Sequence, residues 1–293
     1  MKLLRGLALI VLLLGVMCDQ AGVRSYCHHL KKGLTKKTLR RMSAHGAICV
    51  DVSTGQVLFE KNSKRHLSPA SLTKMMTALL TFEALDRRAI KPYDTMVVSR
   101  RVSKVCHFQI KLRPGTRVSV IDALKGALIN SSNGCAIMLA EKIAGTEQDF
   151  VKRMNKKARE LGMINTHFND CSGLDQSEYS CAYDIAILAQ ELLNKYPRVL
   201  EITSKRKECF GSRYKSYGNT NQLLSCYRGM DGLKTGWTPW ADFCLCTTAH
   251  KDDVRLVTVV IGCKTSHHRY AETMVLLDDG FKKMRSKKRG HSF

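Results

Sequence analysis

Acidic residues are scarce in this chain: 25 Asp and Glu stand against 48 Lys and Arg, a formal net charge of +23 on 293 residues. A surface this basic suits an anionic partner, whether nucleic acid, anionic lipid or an anionic polymer. The motifs that would make that partner a nucleic acid are missing: there is no zinc-finger spacing and no aromatic-rich strand of the RNP type. None of the 12 cysteines forms a Cys-x-x-Cys pair. Cys244-x-Cys246 puts two thiols on one face of a strand, a poor start for a zinc site. No internal repeat and no Pro- or Gly-rich linker interrupts the chain, which has only five prolines. A repeat array is thereby excluded, and the length suffices for one large domain or two with a substantial buried core.

What is present begins with Met1 to Met17, where Lys2 and Arg5 precede an apolar run from Leu7. That pattern predicts a secretory signal over 1–18, or an uncleaved N-terminal anchor, and hence an exported protein. Cleavage after Cys18 would put Val16 and Cys18 at the small-residue positions, whereas Gly15-Val16-Met17 is a poor match to a lipoprotein signal. Export would allow some cysteines to pair as disulfides, the alternative being buried free thiols. Two basic clusters, Lys31, Lys32, Lys36, Lys37, Arg40 and Arg41 near the start and Lys282, Lys283, Arg285, Lys287, Lys288 and Arg289 near the end, then fit anionic lipid or a wall polymer better than nucleic acid. The alternative is solvated faces.

The rest of the chain is organised around Ser68-Pro69-Ala70-Ser71-Leu72-Thr73-Lys74. Ser68 is read as an N-cap and Pro69 as the first helical residue, where its missing N–H costs nothing. Leu72, Met75, Met76, Leu79 and Leu80 follow at helical spacing and predict a core helix through Phe82 and Leu85. Ser71 and Lys74, three apart, share a face. Burial would disfavour the ammonium form of Lys74 and let it take the serine proton, making Ser71 a nucleophile. Ser204-Lys205-Arg206-Lys207 and Ser212-Arg213-Tyr214-Lys215 match the same pattern without any apolar stripe, and are read as solvated.

Ala47 to Val52 and Gln56 to Glu60 predict a β-hairpin around Ser53-Thr54-Gly55. Short β-like pieces at Met96-Val97-Val98 and Phe108-Gln109-Ile110 come next. Helices are expected over Val120–Leu128, Ala136–Ile143, Phe150–Leu161 and Ala182–Leu193, with a loop from Asn169 to Tyr179. From Met230 the pattern turns to strands at Gly232–Trp237, Phe243–Ala249 and Arg255–Gly262, before a closing helix from about Arg269 to Met284. The two early and three late strands predict an α+β fold: a five-stranded antiparallel sheet flanked by helices, with a helical subdomain inserted. The division expected is a basic segment over 19–43, a catalytic domain over 44–285 and a basic tail over 286–293. Within that domain, 44–90 and 230–285 form the sheet part and 91–229 the mainly helical part.

Two further elements occur once each. Ser131-Ser132-Asn133 lies at a break between helical runs, where a loop can present a hydroxyl and an amide. Lys234-Thr235-Gly236 lies on a strand, where Gly236 leaves room for close backbone approach and Lys234 and Thr235 offer a cation and a hydroxyl to a carboxylate. Ser-x-x-Lys, Ser-x-Asn and Lys-Thr-Gly in this order resemble the serine D-alanyl-D-alanine carboxypeptidases, the low-molecular-weight penicillin-binding proteins of the peptidase S11 family. Ser172-Gly173-Leu174-Asp175 and Asp231-Gly232-Leu233-Lys234-Thr235-Gly236-Trp237-Thr238 resemble it too, and the likeness runs from about Ala44 to Phe281.

The resemblance implies a DD-peptidase/β-lactamase-like fold with Ser71 as acylated nucleophile, Lys74 as general base and Ser131 as proton relay. Asn133 would hold the substrate amide, and Lys234, Thr235 and Gly236 would bind the substrate with its terminal carboxylate. Backbone N–H groups of Ser71 and Trp237 would form the oxyanion hole. It implies peptidoglycan stem peptides ending in D-Ala-D-Ala as substrates, β-lactams as covalent inhibitors, no metal or cofactor, and a periplasmic or cell-envelope location. Ser132 and Gly134 depart from the family's usual Ala or Gly and Asp. A DD-transpeptidase, an endopeptidase or a β-lactamase would share these signatures, whereas a non-catalytic wall- or lipid-binding protein would leave them unexplained.

Overall fold

A computed structural model describes residue 39 and residues 41–105, 110–210 and 215–290, the side chains of 215 and 288–290 excepted. The expected signal, most of the basic N-terminal segment, Phe108-Gln109 and the second Ser-x-x-Lys decoy at Ser212 lie outside the described residues.

β1 (Gly46–Asp51) and β2 (Val57–Lys61) form the predicted hairpin, and β7 (Met230–Thr238), β8 (Asp242–Lys251) and β9 (Val254–Cys263) return at the end of the chain. All pairings are antiparallel and the sheet order is β2-β1-β9-β8-β7. β9 is central, and its sequence VRLVTVVIGC is almost continuously apolar because both of its faces are covered. Alternation sends Ile48, Val50, Val257, Val259 and Ile261 into one core and Ala47, Cys49, Leu256 and Val260 into the other. The second core is closed by the last helix, the first by the helical part.

The first helix, α1 (Lys74–Asp86), is buried from Lys74 through Ala84 on every side. The sequence predicted a single apolar stripe. The helix instead threads the middle of the helical cluster, touching α3 (Val120–Ile129), α4 (Asn133–Ala144), α5 (Glu147–Glu160) and α6 (Ala182–Lys195). α6 also lies across β1 and β9, which joins the helical part to the sheet. Truncating a fully buried residue such as Leu79 to alanine would cost about 2–5 kcal/mol.

Several boundaries differ from expectation. β3 (Thr95–Val97) pairs with β4 (Arg117–Ser119), so Ile110 is not its partner. A second hairpin, β5 (Lys207–Phe210) with β6 (Lys215–Gly218), lies in the basic segment read as solvated. Three- and four-residue strands offer too few alternating positions to register as a period. α2 (Arg100–Lys104) and α7 (Val199–Thr203) are equally short. The decoy Ser204 and Lys207 straddle the end of α7 and the start of β5, and both are exposed.

The closing helix, α8 (Ser266–Gly290), starts earlier and ends later than predicted, so the tail set apart at 286 is still helical through Gly290. Thr265 Oγ1 accepts His268 N at 3.1 Å at its start. Lys283 Nζ to Leu58 O at 2.6 Å and Lys287 Nζ to Gln56 Oε1 at 2.8 Å pin its far end to the β2 side. Among the described residues no helix is long and apolar enough to cross a membrane.

Candidate active site

Ser71 sits in a 3-10 turn, Ala70–Thr73, that leads into α1. The expected N-cap is not formed: Ser68 Oγ is buried without a partner, and Pro69 is the capping residue without a side-chain bond. The chain enters by another route, with Ala70 at φ 48, a left-handed conformation that costs a residue with a Cβ about 1–3 kcal/mol. That strain sits directly before Ser71.

The spacing argument holds in space. Lys74 is 0% exposed, and its Nζ lies 2.9 Å from Ser71 Oγ, 2.6 Å from Asn133 Oδ1 and 2.7 Å from Ser172 O. Two of these neighbours, the amide oxygen and the backbone carbonyl, can only accept, whereas the serine hydroxyl can also donate. A neutral Lys74 amine would satisfy both obligate acceptors with its two N–H bonds. Its lone pair would then face the Ser71 proton. The geometry is that of a base aimed at one hydroxyl.

Ser131 occupies the break between α3 and α4 at φ 63, also left-handed. Ser132 caps α4 by accepting Cys135 N at 3.3 Å, and Asn133 is the first residue of that helix. α4 therefore begins earlier than the apolar period indicated, since its first turn is set by a cap. Both departures from the family pattern have local reasons. Ser132 is the cap, and a Cβ at Gly134 would fall 2.7 Å from Leu112 Cδ1.

β7 is an edge strand, and its Lys234-Thr235-Gly236 segment faces the serine turn. A Cβ on Gly236 would lie 3.0 Å from Pro69 O and 3.2 Å from Ala70 Cβ, so glycine permits the strand to approach the nucleophile's turn. Lys234 is 1% exposed and donates to Thr235 O at 2.8 Å. Burial, then the positive charges of Lys74 and Arg269, hold its pKa well below the usual lysine value. Thr235 Oγ1 donates to Thr220 Oγ1 at 2.6 Å. The Trp237 side chain is half exposed at the end of this segment.

Other groups at the site had no role in the sequence reading. Arg269, on α8, donates to Gly236 O at 3.2 Å and Cys244 O at 3.4 Å and so braces the strand from behind. The 169–179 loop supplies the Ser172 carbonyl to Lys74. Its Gly173, at φ 84, lies so close to the serine turn that a Cβ would fall 1.9 Å from Ala70 O. Among the described residues, eight cysteines are free thiols, seven of them buried, and Cys226 is disulfide-bonded. Burial pushes the Cys135 thiol, near the site, up to about 12. An open concavity of about 800 Å3 beside Val57, Glu60, Lys64 and Tyr183 contains none of the site residues.

With this geometry in place, similarity to known proteins is informative. The peptidase S11, D-alanyl-D-alanine carboxypeptidase, family matches residues 33–265. D-alanyl-D-alanine carboxypeptidase DacF of Bacillus subtilis is 42% identical over 242 residues, covering 81% of this chain and 62% of that protein. Penicillin-binding protein D2 of Listeria monocytogenes, solved in an ampicillin-bound form, superposes with a TM-score of 0.76 at 34% identity, covering 82% of this chain and 98% of that one. Penicillin-binding protein 5 of Haemophilus influenzae gives a TM-score of 0.78 at 32% identity, covering 82% and 71% respectively. The chain thus spans about 62% of the length of the curated carboxypeptidases it resembles.

Proposed function

This chain belongs to the D-alanyl-D-alanine carboxypeptidase family, peptidase S11, and from that premise we propose that it is a serine DD-carboxypeptidase acting through an acyl-enzyme on Ser71. The observation that carries the reading is the buried Lys74 amine 2.9 Å from Ser71 Oγ, with Asn133 Oδ1 and Ser172 O as acceptors for its N–H bonds.

In the proposed reaction a stem peptide ending in D-Ala-D-Ala lies along the free edge of β7, with its terminal carboxylate at Lys234 and Thr235. Lys74 takes the Ser71 proton as Oγ attacks the carbonyl carbon of the penultimate D-Ala. The oxyanion that forms is held by the backbone N–H groups of Ser71 and Trp237. The proton passes from Lys74 through Ser131 to the amine of the terminal D-Ala, the C–N bond breaks, and that residue leaves. Water, deprotonated in turn by Lys74, then releases the shortened peptide. A penicillin would acylate the same oxygen and remain. Asn133, which the resemblance assigns to the substrate amide, also holds Lys74 through Oδ1, so it would orient the base as well.

Lys234 fits the carboxylate role for a second reason. A buried amine beside the Arg269 guanidinium lacks a counter-charge, and an incoming carboxylate supplies it. The exposed basic side chains Lys282 and Arg285 on α8 are proposed to meet an anionic membrane or wall polymer, with the enzyme in the cell envelope.

Incubation with a stem pentapeptide and mass spectrometry should detect loss of one D-Ala, and Ser71→Ala should abolish both that loss and covalent labelling by a penicillin. Rapid turnover of the penicillin adduct would make the protein a β-lactamase. Transfer of the acyl group to an added amine would make it a transpeptidase. Labelling that survives Ser71→Ala would move the nucleophile elsewhere.

A further inference from the structure

The 169–179 loop carries a buried carboxyl that the proposed reaction does not use. Glu178 is 2% exposed. Its Oε1 accepts the hydroxyl of Thr73, which stands between Ser71 and Lys74, and its Oε2 accepts Asn169 N at 3.3 Å. The loop meets the catalytic helix at three more points: Ser172 O on Lys74 Nζ, Cys171 O accepting Thr77 Oγ1 at 2.7 Å, and Gly173 against Ala70 O. Within the loop, Asp170 gathers the backbone N–H groups of Ser172, Gly173, Leu174 and Asp175 at 2.5–2.8 Å. The loop is therefore stiff, and Glu178 is a side chain through which it grips the turn that holds both reacting groups.

The two sides of this grip make opposite demands. Thr73 O–H and Asn169 N–H both donate, which suits an ionised Glu178. Burial, and after it the charge of Asp170, oppose ionisation and push the Glu178 pKa up to about 8. Charged groups that hydrogen-bond to the loop near it are Lys74 from α1, Glu147 from α5, which accepts Cys171 N, and Asp175 in the loop, which accepts Asn169 Nδ2.

We propose that Glu178 is a positioning residue for the acylation centre. Through Thr73 it clasps the 169–179 loop onto the Ser71–Lys74 turn, and loss of its proton places a second buried negative charge beside Asp170 and loosens the clasp. Ser172 O then moves off Lys74, and Lys74 loses one of the two acceptors that aim its lone pair. The proposal rests on Ser71 and Lys74 being the acylation pair. Glu178→Gln keeps the neutral shape at every pH: its amide oxygen can accept Asn169 N–H while its nitrogen donates to Thr73 Oγ1.

Two measurements from about pH 5 to 9.5 test this, a span that covers most of the window between the ordinary carboxyl value and about 8 and the plateau above it. One is hydrogen exchange of the 169–179 amides, corrected for the intrinsic exchange rate. The other is the rate of Ser71 acylation by an uncharged nitrophenyl ester, which carries no carboxylate for Lys234 to read. In the wild type, loop protection and acylation rate should both fall about tenfold or more as pH rises towards about 8, and level off together above it. Both should be nearly flat in Glu178→Gln. Thr73→Val, which removes the grip and keeps the shape, should exchange fast and acylate slowly across the whole range. A wild-type loop whose protection does not change, or an unchanged step in Glu178→Gln, overturns the proposal. A loop step of the expected kind without any ester reaction at Ser71 leaves the clasp standing and instead overturns the acyl-enzyme reading.

Discussion

Two lysines of this protein are almost equally buried, Lys74 at 0% and Lys234 at 1% exposed, yet their surroundings are opposite. Lys74 has a serine hydroxyl, an amide oxygen and a backbone carbonyl within 2.9 Å. Lys234 has Thr235 O and, as neighbours, the Lys74 amine and the Arg269 guanidinium. Under the proposed function, the acceptors around one amine aim its lone pair at a proton. The lack of negative charge around the other suits it to receive a carboxylate. The residue type and its burial are shared, so the acceptors decide the role.

The sharpest way to break this comparison is Lys74→Arg. It keeps a long basic side chain, but a guanidinium stays protonated and does not act as a base at neutral pH. Acylation of Ser71 by a labelled penicillin should fall by about 10²–10⁴, while circular dichroism reports an intact fold. Near-normal labelling in the folded variant would reject the general-base assignment.

Lys234→Gln should have a smaller and more selective effect. Losing a charge-assisted hydrogen bond to a carboxylate costs about 1.5–3 kcal/mol, or roughly ten- to more than a hundredfold in kcat/KM. The loss should appear on an acid-terminated D-Ala-D-Ala peptide and largely vanish on its C-terminal amide. Equal losses on both would mean that Lys234 does not read the carboxylate. Stability should move the other way. Because the folded protein holds the Lys234 pKa below its ordinary value, the unfolded chain binds the extra proton between the two. Lys234 therefore costs stability at low and neutral pH, and the cost fades as pH rises towards the ordinary lysine value. Lys234→Met should raise Tm most where the lysine would be charged.

Glu178 extends the comparison to a buried acid. Its raised pKa means that the native state holds a proton which the unfolded chain releases from about 4.5 upward. Its contribution to stability should decline between there and about 8. Glu178→Gln should unfold at a Tm that gains on the wild type across that window and then runs parallel to it. A constant offset at all pH values would mean that the carboxyl does not titrate in the folded protein.

The sequence made one half of this chemistry legible and hid the other. Ser71 and Lys74 could be paired because three residues is one helical turn, and Lys234, Thr235 and Gly236 could be placed because they are consecutive on a strand. The partners that aim Lys74 could not be derived in that way. Asn133 lies 59 residues away, and Ser172, 98 residues away, contributes a backbone carbonyl to which its side-chain identity gives no clue. Arg269 and Glu178 also act across the fold, and a single Arg or Glu among 73 charged residues carries no mark of burial. The five strands of the sheet were legible because their apolar runs are long enough to show a pattern, whereas their order came only from the structure. The strands of β3, β4, β5 and β6 were too short, and the Ser68 cap failed because the chain reaches the helix through a strained turn that no propensity favours.

The smallest effect expected concerns lysines and arginines that are not buried at all. On the last turns of α8, Lys282, Lys283, Arg285 and Lys287 are all exposed, but Lys283 and Lys287 are anchored on Leu58 O and Gln56 Oε1. Removing the whole tail would confuse charge with the loss of those anchors and of the helix itself. Replacing Lys282 and Arg285 with glutamine changes charge alone. Each basic group near an anionic surface contributes about 1 kcal/mol, so the double variant should bind phosphatidylserine-containing vesicles roughly ten- to thirtyfold more weakly at low salt. The difference should shrink as salt shortens the screening length, and turnover of a soluble pentapeptide should not change. Equal binding of the two proteins at low salt would reduce this end of α8 to a solvated face and leave the basic N-terminal cluster as the remaining candidate for surface contact.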